Sequence, residues 1–123
     1  MKIKIFQINN ERDAHDVKFM NLDRTARIQK TDKIDPQIYD EVFSGDIDAK
    51  TLEDVFTRFN TESHPLHRGH SLSVSDIVQT DEGAFFCDSV GFQKVDFDAT
   101  LTQKPAPVST VLPRQWTVTP AGR

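Results

Sequence analysis

The sequence predicts an α+β domain, a small and mostly antiparallel sheet with one main helix packed on a face. Several short segments alternate between apolar and polar residues, as half-buried strands do. Two of them flank the turn signal Asp81-Glu82-Gly83, which is typical of a hairpin. Another segment repeats apolar residues at helical spacing. The chain has 123 residues, which is enough for a single hydrophobic core.

Strands are predicted at residues 2–8, 75–79, 84–88 and 92–97. In the first, Ile3 and Ile5 alternate with lysines, and Asn9-Asn10 ends the run. The second and third flank the turn signal, and Gly91 provides another turn before the fourth. The later part of the chain is therefore predicted to form an antiparallel meander.

The helix is predicted at residues 51–60. Thr51 is a favourable N-cap, and Asp54 three residues later completes a capping-box pattern. Four apolar residues at i, i+3, i+4 and i+7 form one stripe, which we expect to pack in the core: Leu52, Val55, Phe56 and Phe59.

A change in composition separates the predicted domain, residues 1–98, from a tail. Residues 99–123 hold no acidic residue, three basic residues and four of the six prolines. Such a segment is expected to be extended or flexible. Trp116 is the residue most able to dock it.

Composition excludes some classes of function. Fifteen basic and nineteen acidic residues give a net charge of -4, which argues against a protein that binds nucleic acids or membranes directly. No apolar run approaches the roughly 20 residues of a membrane span, and the first residues lack the apolar stretch of a signal peptide. The single cysteine, Cys87, excludes an intramolecular disulfide framework. We therefore expect a cytoplasmic protein.

Two acidic runs indicate a surface for a basic partner. Residues 32–54 hold eight acidic and two basic residues, and residues 76–98 hold six acidic residues and one lysine. An acidic surface binds a basic partner by complementary charge; the alternative is a solvated surface without a partner. Six residues are the predicted partner-binding set: Asp40, Glu41, Asp46, Asp48, Asp81 and Glu82.

Histidines spaced as H-x2-H-x2-H suggest a zinc site. Imidazole nitrogens and a thiolate are preferred zinc ligands. The candidate ligands are His64, His67, His70 and Cys87. The alternative is a polar loop in which His70 caps a turn, with Cys87 as a small buried apolar residue.

A hydrolase is the other chemical possibility, because Ser71, Ser73 and Ser75 occur together with His70, Asp76 and Asp88. Nucleophilic catalysis needs a base within hydrogen-bonding distance of the nucleophile, and proximity in sequence does not provide this. There is no G-x-S-x-G nucleophile elbow. We expect no catalytic activity, and expect these serines to satisfy turn amides instead.

Four segments resemble the YodL-like domain family in order and spacing: IFQIN at 5–9, YDEVFSG at 39–45, GHSLSVSDIV at 69–78 and FFCDSVGF at 85–92. The resemblance covers roughly residues 1–98. It implies a domain of bacterial plasmids, conjugative elements and phages, found in the Firmicutes, without established catalytic activity. Small acidic proteins from that genetic setting are often counter-defence factors, and one family member is linked to actin-like cell-shape proteins.

The resemblance and the acidic runs together lead to a functional expectation. We expect a mobile-element counter-defence protein, an anti-CRISPR inhibitor that binds an RNA-guided effector nuclease and blocks DNA loading or cleavage. The alternative is an interaction module for another cellular target, such as an actin-like cytoskeletal protein.

Overall fold

The computed structural model describes residues 1–31, 33–62 and 64–104. Five strands form one sheet in the order β2-β1-β3-β4-β5, and all neighbouring strands are antiparallel. The strands are β1 (Lys2–Ile8), β2 (Tyr39–Asp46), β3 (Ile77–Thr80), β4 (Gly83–Cys87) and β5 (Phe92–Val95), and the α-helices are α1 (Leu22–Gln29) and α2 (Leu52–Thr61). The predicted α+β class is confirmed, as are the four predicted strands and the helix.

Successive side chains of β1 point to opposite faces of the sheet. An apolar cluster lies on each face. On one face, Phe6 and Ile8 join a cluster against which α1 packs Leu22 and Ile28. On the other face, Ile3 and Ile5 join a cluster that contains two residues of α2, Val55 and Phe59.

Helix α2 begins as predicted. The Thr51 side chain accepts a hydrogen bond from the Asp54 amide at 3.1 Å, and the Asp54 carboxylate accepts one from the Thr51 amide at 3.3 Å. The expectation that the whole apolar stripe is core is wrong for Phe56, which is 39% exposed. At 3.6 residues per turn, Phe56 lies at the flank of the stripe, where its side chain is partly exposed.

Two elements were not predicted. Helix α1 is capped by Asn21, whose side chain accepts from the Arg24 amide at 2.9 Å, but its eight residues are mostly polar. Strand β2 runs antiparallel to β1 over its whole length, with a register shift opposite Ile5 and Phe6. This shift interrupts the alternation on which a strand prediction depends.

The chain continues along the outer edge of β2 after the predicted domain boundary. The Gln103 amide donates to the Tyr39 carbonyl at 3.1 Å, and the Glu41 amide donates to the Gln103 carbonyl at 2.6 Å. Residues 99–104 thus pack on the domain, whereas the rest of the predicted tail, with Trp116, lies outside the described residues. No helix in the part of the chain that the structure describes is long and apolar enough to cross a membrane.

Candidate functional site

Three polar side chains meet where β1 ends beside β3: Gln7, His70 and Asp76. We call this group, with the adjoining Cys87, the buried cluster. The Gln7 amide nitrogen donates to Asp76 Oδ2 at 3.0 Å and to the His70 carbonyl at 2.9 Å, while its oxygen accepts from the His70 amide at 3.0 Å. Gln7 and Asp76 are both buried. Gln7 therefore ties the loop of residues 64–76 to the sheet.

Gly69 is required by this arrangement. A Cβ atom at this position would lie 1.9 Å from the Gln7 side-chain oxygen. Any other residue would displace Gln7 from its contacts with His70, because a separation below 3.0 Å is a steric overlap.

Burial makes the cluster electrically neutral. It raises the pKa of Asp76 to about 8, against the hydrogen bonds that Ser73 and Gln7 donate to its carboxylate. Burial, followed by the neighbouring Asp76, raises the pKa of the Cys87 thiol to about 12. Burial also lowers the pKa of His70. Near neutral pH, Asp76 is therefore mostly protonated, Cys87 is a thiol, and His70 is mostly uncharged.

Strained backbone adjoins the cluster. Ser75 has a φ of 84° and Phe19 a φ of 69°, a region that costs an ordinary residue about 1 kcal/mol or more. The Ser75 hydroxyl accepts from the Phe19 amide at 3.0 Å and so holds the two segments together. The Phe19 ring is 57% exposed, and its centroid lies 5.6 Å from that of His70. Strain of this kind is concentrated at functional sites.

The hydroxyls of Ser73 and Ser75 and the carbonyl of Ser71 form local hydrogen bonds near His70. His70 Nδ1 lies 2.6 Å from the Ser71 carbonyl oxygen, and the Ser73 hydroxyl donates to the same carbonyl at 3.0 Å. The Ser75 hydroxyl accepts from Phe19, as described above. These contacts form a hydrogen-bond network that holds the loop against the sheet. The Cys87 thiol beside it stays protonated near neutral pH.

The four candidate zinc ligands lie in different environments. The His64 ring packs 4.7 Å from that of Phe43, His67 Nε2 lies 2.7 Å from the His70 carbonyl oxygen, and Cys87 is buried in β4. Among residues 1–31, 33–62 and 64–104, no group of three or more His, Cys, Asp or Glu residues is placed to hold a metal ion. The zinc site stays a prediction, and this arrangement gives it no support.

Two of the six predicted partner-binding acids combine low exposure with pairing to bases of their own chain. Asp40 is buried and accepts hydrogen bonds from the Arg12 guanidinium and from the Asn9 amide. The Glu41 side chain is only 15% exposed and lies 3.4 Å from the Lys4 ammonium and 3.6 Å from that of Lys104. Both carboxylates face bases of their own chain, so they are poorly placed to meet a partner.

The other four acids are exposed and lie at one end of the sheet. Lys2 pairs with Asp46, Lys4 with Gln79, and Thr80 with Gly83, so the β3–β4 turn and the end of β2 both lie where β1 begins. We call this surface the acidic end and define it by four residues: Asp46, Asp48, Asp81 and Glu82.

The acidic end is only partly neutralised. Asp46 lies 3.0 Å from the N-terminal ammonium, and Asp48 lies 3.3 Å from the Arg58 guanidinium. Asp81 and Glu82 form no ion pair with any residue that the structure describes. The turn thus presents two unpaired carboxylates.

Sequence reasoning did not select two residues of the cluster region. The sequence does contain an indication of the role of Gln7: it shares the buried side of β1 with Ile3 and Ile5. A polar residue on a buried face usually has a specific hydrogen-bonding role. No sequence pattern indicates the role of Phe19, because neither its positive φ nor its contact with Ser75 can be predicted from local sequence.

The comparisons with known proteins agree with the resemblance. The model of the YodL-like domain family matches residues 2–97. Neither the curated proteins nor the solved structures contain a match. The four segments that carry the resemblance converge in the fold: they contribute Gln7, Tyr39, His70 with Asp76, and Cys87 to the buried cluster and its surroundings. The chain therefore belongs to the YodL-like domain family.

Proposed function

We propose that this chain is a non-catalytic counter-defence protein that binds a large basic partner through the acidic end. The first target to test is an RNA-guided CRISPR effector nuclease, whose DNA loading or cleavage the bound protein would block. The unpaired carboxylates of the β3–β4 turn, Asp81 and Glu82, are the observation that carries this proposal.

The physical reason lies in the surface that a nuclease offers to DNA. Proteins that bind the phosphate backbone line their channels with Lys and Arg. Complementary charge between the exposed carboxylates of the turn and such a channel speeds the encounter. Free duplex DNA should not bind this chain, because its net charge is -4.

The chemistry of the buried cluster favours an inhibitor that acts by binding its target over one that acts as an enzyme. The Cys87 thiol, with its pKa raised to about 12, is a poor nucleophile at neutral pH. The hydroxyls of Ser73 and Ser75 nearby serve local hydrogen bonds. Inhibition should therefore saturate near one inhibitor per nuclease, a ratio that titration of DNA cleavage by the host's own effector measures.

The acidic end is tested by removing its two unpaired charges. The double variant Asp81→Asn/Glu82→Gln should slow association by about threefold to tenfold and change dissociation less, because exposed charges act mainly on the encounter. Added salt should weaken binding of the original chain more than that of the variant. Association rates by surface plasmon resonance at several salt concentrations provide the measurement.

A matched control removes two charges elsewhere. Glu11 and Asp16 are exposed and follow the opposite end of β1, so Glu11→Gln/Asp16→Asn changes the net charge equally. An equal effect of both double variants would refute a role for the acidic end. Irreversible inactivation by substoichiometric protein would refute binding as the mechanism, and binding to an actin-like protein without effect on a nuclease would favour the alternative function.

A further inference from the structure

A cavity of about 400 Å³ opens at the end of the sheet where β1 ends and β2 begins. The segment that follows β1 lines one side, the last residue of α1 lines another, and the segment that follows β5 lines a third. Val17, Ile38 and Leu101 give it an apolar wall, and Leu101 is 49% exposed. Because the acidic end lies where β1 begins, this cavity belongs to the opposite end of the sheet.

Two carboxylates line the cavity, those of Asp13 and Asp35, and neither forms an ion pair with a residue that the structure describes. The two oxygens of Asp13 accept hydrogen bonds from the amides of Val17 and Lys18 at 2.9 and 3.0 Å. Asp35 Oδ1 accepts from the Gln37 amide at 3.0 Å. The remaining oxygen, Asp35 Oδ2, accepts no hydrogen bond from any described group.

The positive charges near the cavity are balanced by other carboxylates. Arg12 also lines the cavity, but its guanidinium pairs with the buried Asp40 and donates to two backbone carbonyls. In the adjoining groove, Lys33 pairs with Asp96 at 3.6 Å. His15 is the other basic side chain at the cavity, and it is exposed. The two carboxylates that line the cavity therefore leave an excess of negative charge there.

Gln29 adds an acceptor that lacks a partner. It lines the cavity from α1, and its side-chain oxygen is buried and forms no hydrogen bond with any described group. Buried polar atoms are rarely left unpaired. A donor at the inner end of the cavity would pair with this oxygen, whereas an anionic group would not.

We propose that this cavity binds a primary ammonium group on an aliphatic chain, such as a lysine side chain, with Asp35 Oδ2 and the Gln29 oxygen as its acceptors. An ammonium group is a compact cation whose donors reach single acceptors in different directions. A guanidinium group prefers both oxygens of one carboxylate, and neither Asp13 nor Asp35 has two unoccupied oxygens. The apolar wall accepts the aliphatic chain. This site does not rest on the acidic end or on its proposed target.

The probes are Nα-acetyl-lysine methylamide and cadaverine, titrated into the isotopically labelled full chain while its amide NMR signals are recorded. A pH near 8 keeps ordinary imidazoles uncharged. Both amines should shift the amides of Gln29, Asp35 and Gln37 and leave those of Asp81 and Glu82 nearly unchanged. The norleucine derivative, which has the chain without the ammonium group, should cause no such shifts, and the arginine derivative should bind about threefold to tenfold more weakly. Tighter binding of the lysine derivative assigns the site to a protein partner, and tighter binding of cadaverine assigns it to a free amine.

Asp35→Asn removes the charge and keeps an oxygen that can accept from the Gln37 amide. It should bind both amines about tenfold more weakly, because a charge-assisted hydrogen bond is lost. Asp16→Asn is the matched control, since Asp16 is exposed, lies outside the cavity and carries the same charge; its effect should stay below about twofold. Gln29→Met removes the buried acceptor at similar size and should weaken binding about threefold. Amide spectra without ligand verify that each variant is folded.

Four results would overturn the proposal. In the first, neither amine shifts the amides of Gln29 and Asp35. In the second, the norleucine derivative shifts them equally, which would make the cavity a purely apolar site. In the third, Asp35→Asn and Asp16→Asn lose the same affinity, which would reduce the effect to net charge. In the fourth, the arginine derivative binds at least as tightly as the lysine derivative, which would contradict the assignment of single acceptors.

Discussion

Asp76→Asn should reverse its effect on stability between acidic and alkaline pH. The pKa of Asp76 is about 8 in the folded chain against an ordinary value of 3.8. Below 3.8 both states hold the proton. As the pH rises toward 8, the unfolded chain releases it while the folded chain retains it, so the free energy of unfolding falls. At about 1.4 kcal/mol per pKa unit, the fall reaches at most about 6 kcal/mol.

Asparagine copies the protonated carboxyl without titrating. Its oxygen can accept from Ser73 and Gln7 as Asp76 Oδ2 does, and its amide group would occupy the place of Oδ1, which has no hydrogen-bond partner within the described chain. The protonated carboxyl leaves one donor unsatisfied there, whereas the amide group leaves two. An unsatisfied buried donor costs about 1–3 kcal/mol. The variant should therefore be less stable than the original chain near pH 4.5 and more stable near pH 8.5.

Urea denaturation at half-unit steps from pH 4.5 to 9 measures the two curves. The lowered pKa of His70 acts in the opposite sense, because stability falls as the pH drops below 6.5 toward the folded value. That contribution is present in both proteins and largely cancels in their difference. Asp81→Asn, at an exposed turn, controls for the loss of one carboxylate. Parallel curves for Asp76→Asn and the original chain would show that Asp76 is ionised in the folded state, and the account of a neutral cluster would fail.

Three further predictions concern the loop and the core. Gly69→Ala should lower the free energy of unfolding by about 1–3 kcal/mol in urea, because its Cβ overlaps Gln7; unchanged stability would mean that the loop can move away. Phe59→Ala should cost about 3–5 kcal/mol and Phe56→Ala about 1 kcal/mol, since only the first ring is buried; equal losses would contradict the orientation of α2. If the predicted ligands do hold zinc, elemental analysis of protein purified without a nickel column finds about one ion per chain, and Cys87→Ala removes it; protein without zinc ends that prediction.

Local patterns sufficed for much of the fold. The cap at Thr51 and the apolar spacing of α2 act within the element itself, and the turn at 81–83 joins neighbouring strands, so short windows of sequence contain the relevant physics. Helix α1 is different: its stability comes from packing Leu22 and Ile28 on a cluster formed by distant strands. Its own composition therefore carries little signal.

The candidate site depended still more on tertiary structure. The sequence presents its acidic residues as two runs, but register alone brings Asp46 and the 81–82 turn to one end of the sheet. It also turns Asp40 inward to Arg12. Asp40 and Asp46 were predicted together because they lie close in the sequence. In the fold, Asp40 has a structural role and Asp46 is exposed.

The segments that carry the family resemblance coincide with the buried part of the domain, which we call the frame, and not with the acidic end. Those segments, 5–9, 39–45, 69–78 and 85–92, contain the buried cluster, while all four residues of the acidic end fall between or beside them. A packed cluster of this kind can support different surface loops, since loops tolerate change that a packed cluster does not. Stability and binding should accordingly separate in this chain: Asp76→Asn should change unfolding and leave association with a partner nearly unaltered near neutral pH, whereas Asp81→Asn/Glu82→Gln should do the reverse. Loss of both properties in either variant would show that the frame and the acidic end are one coupled unit.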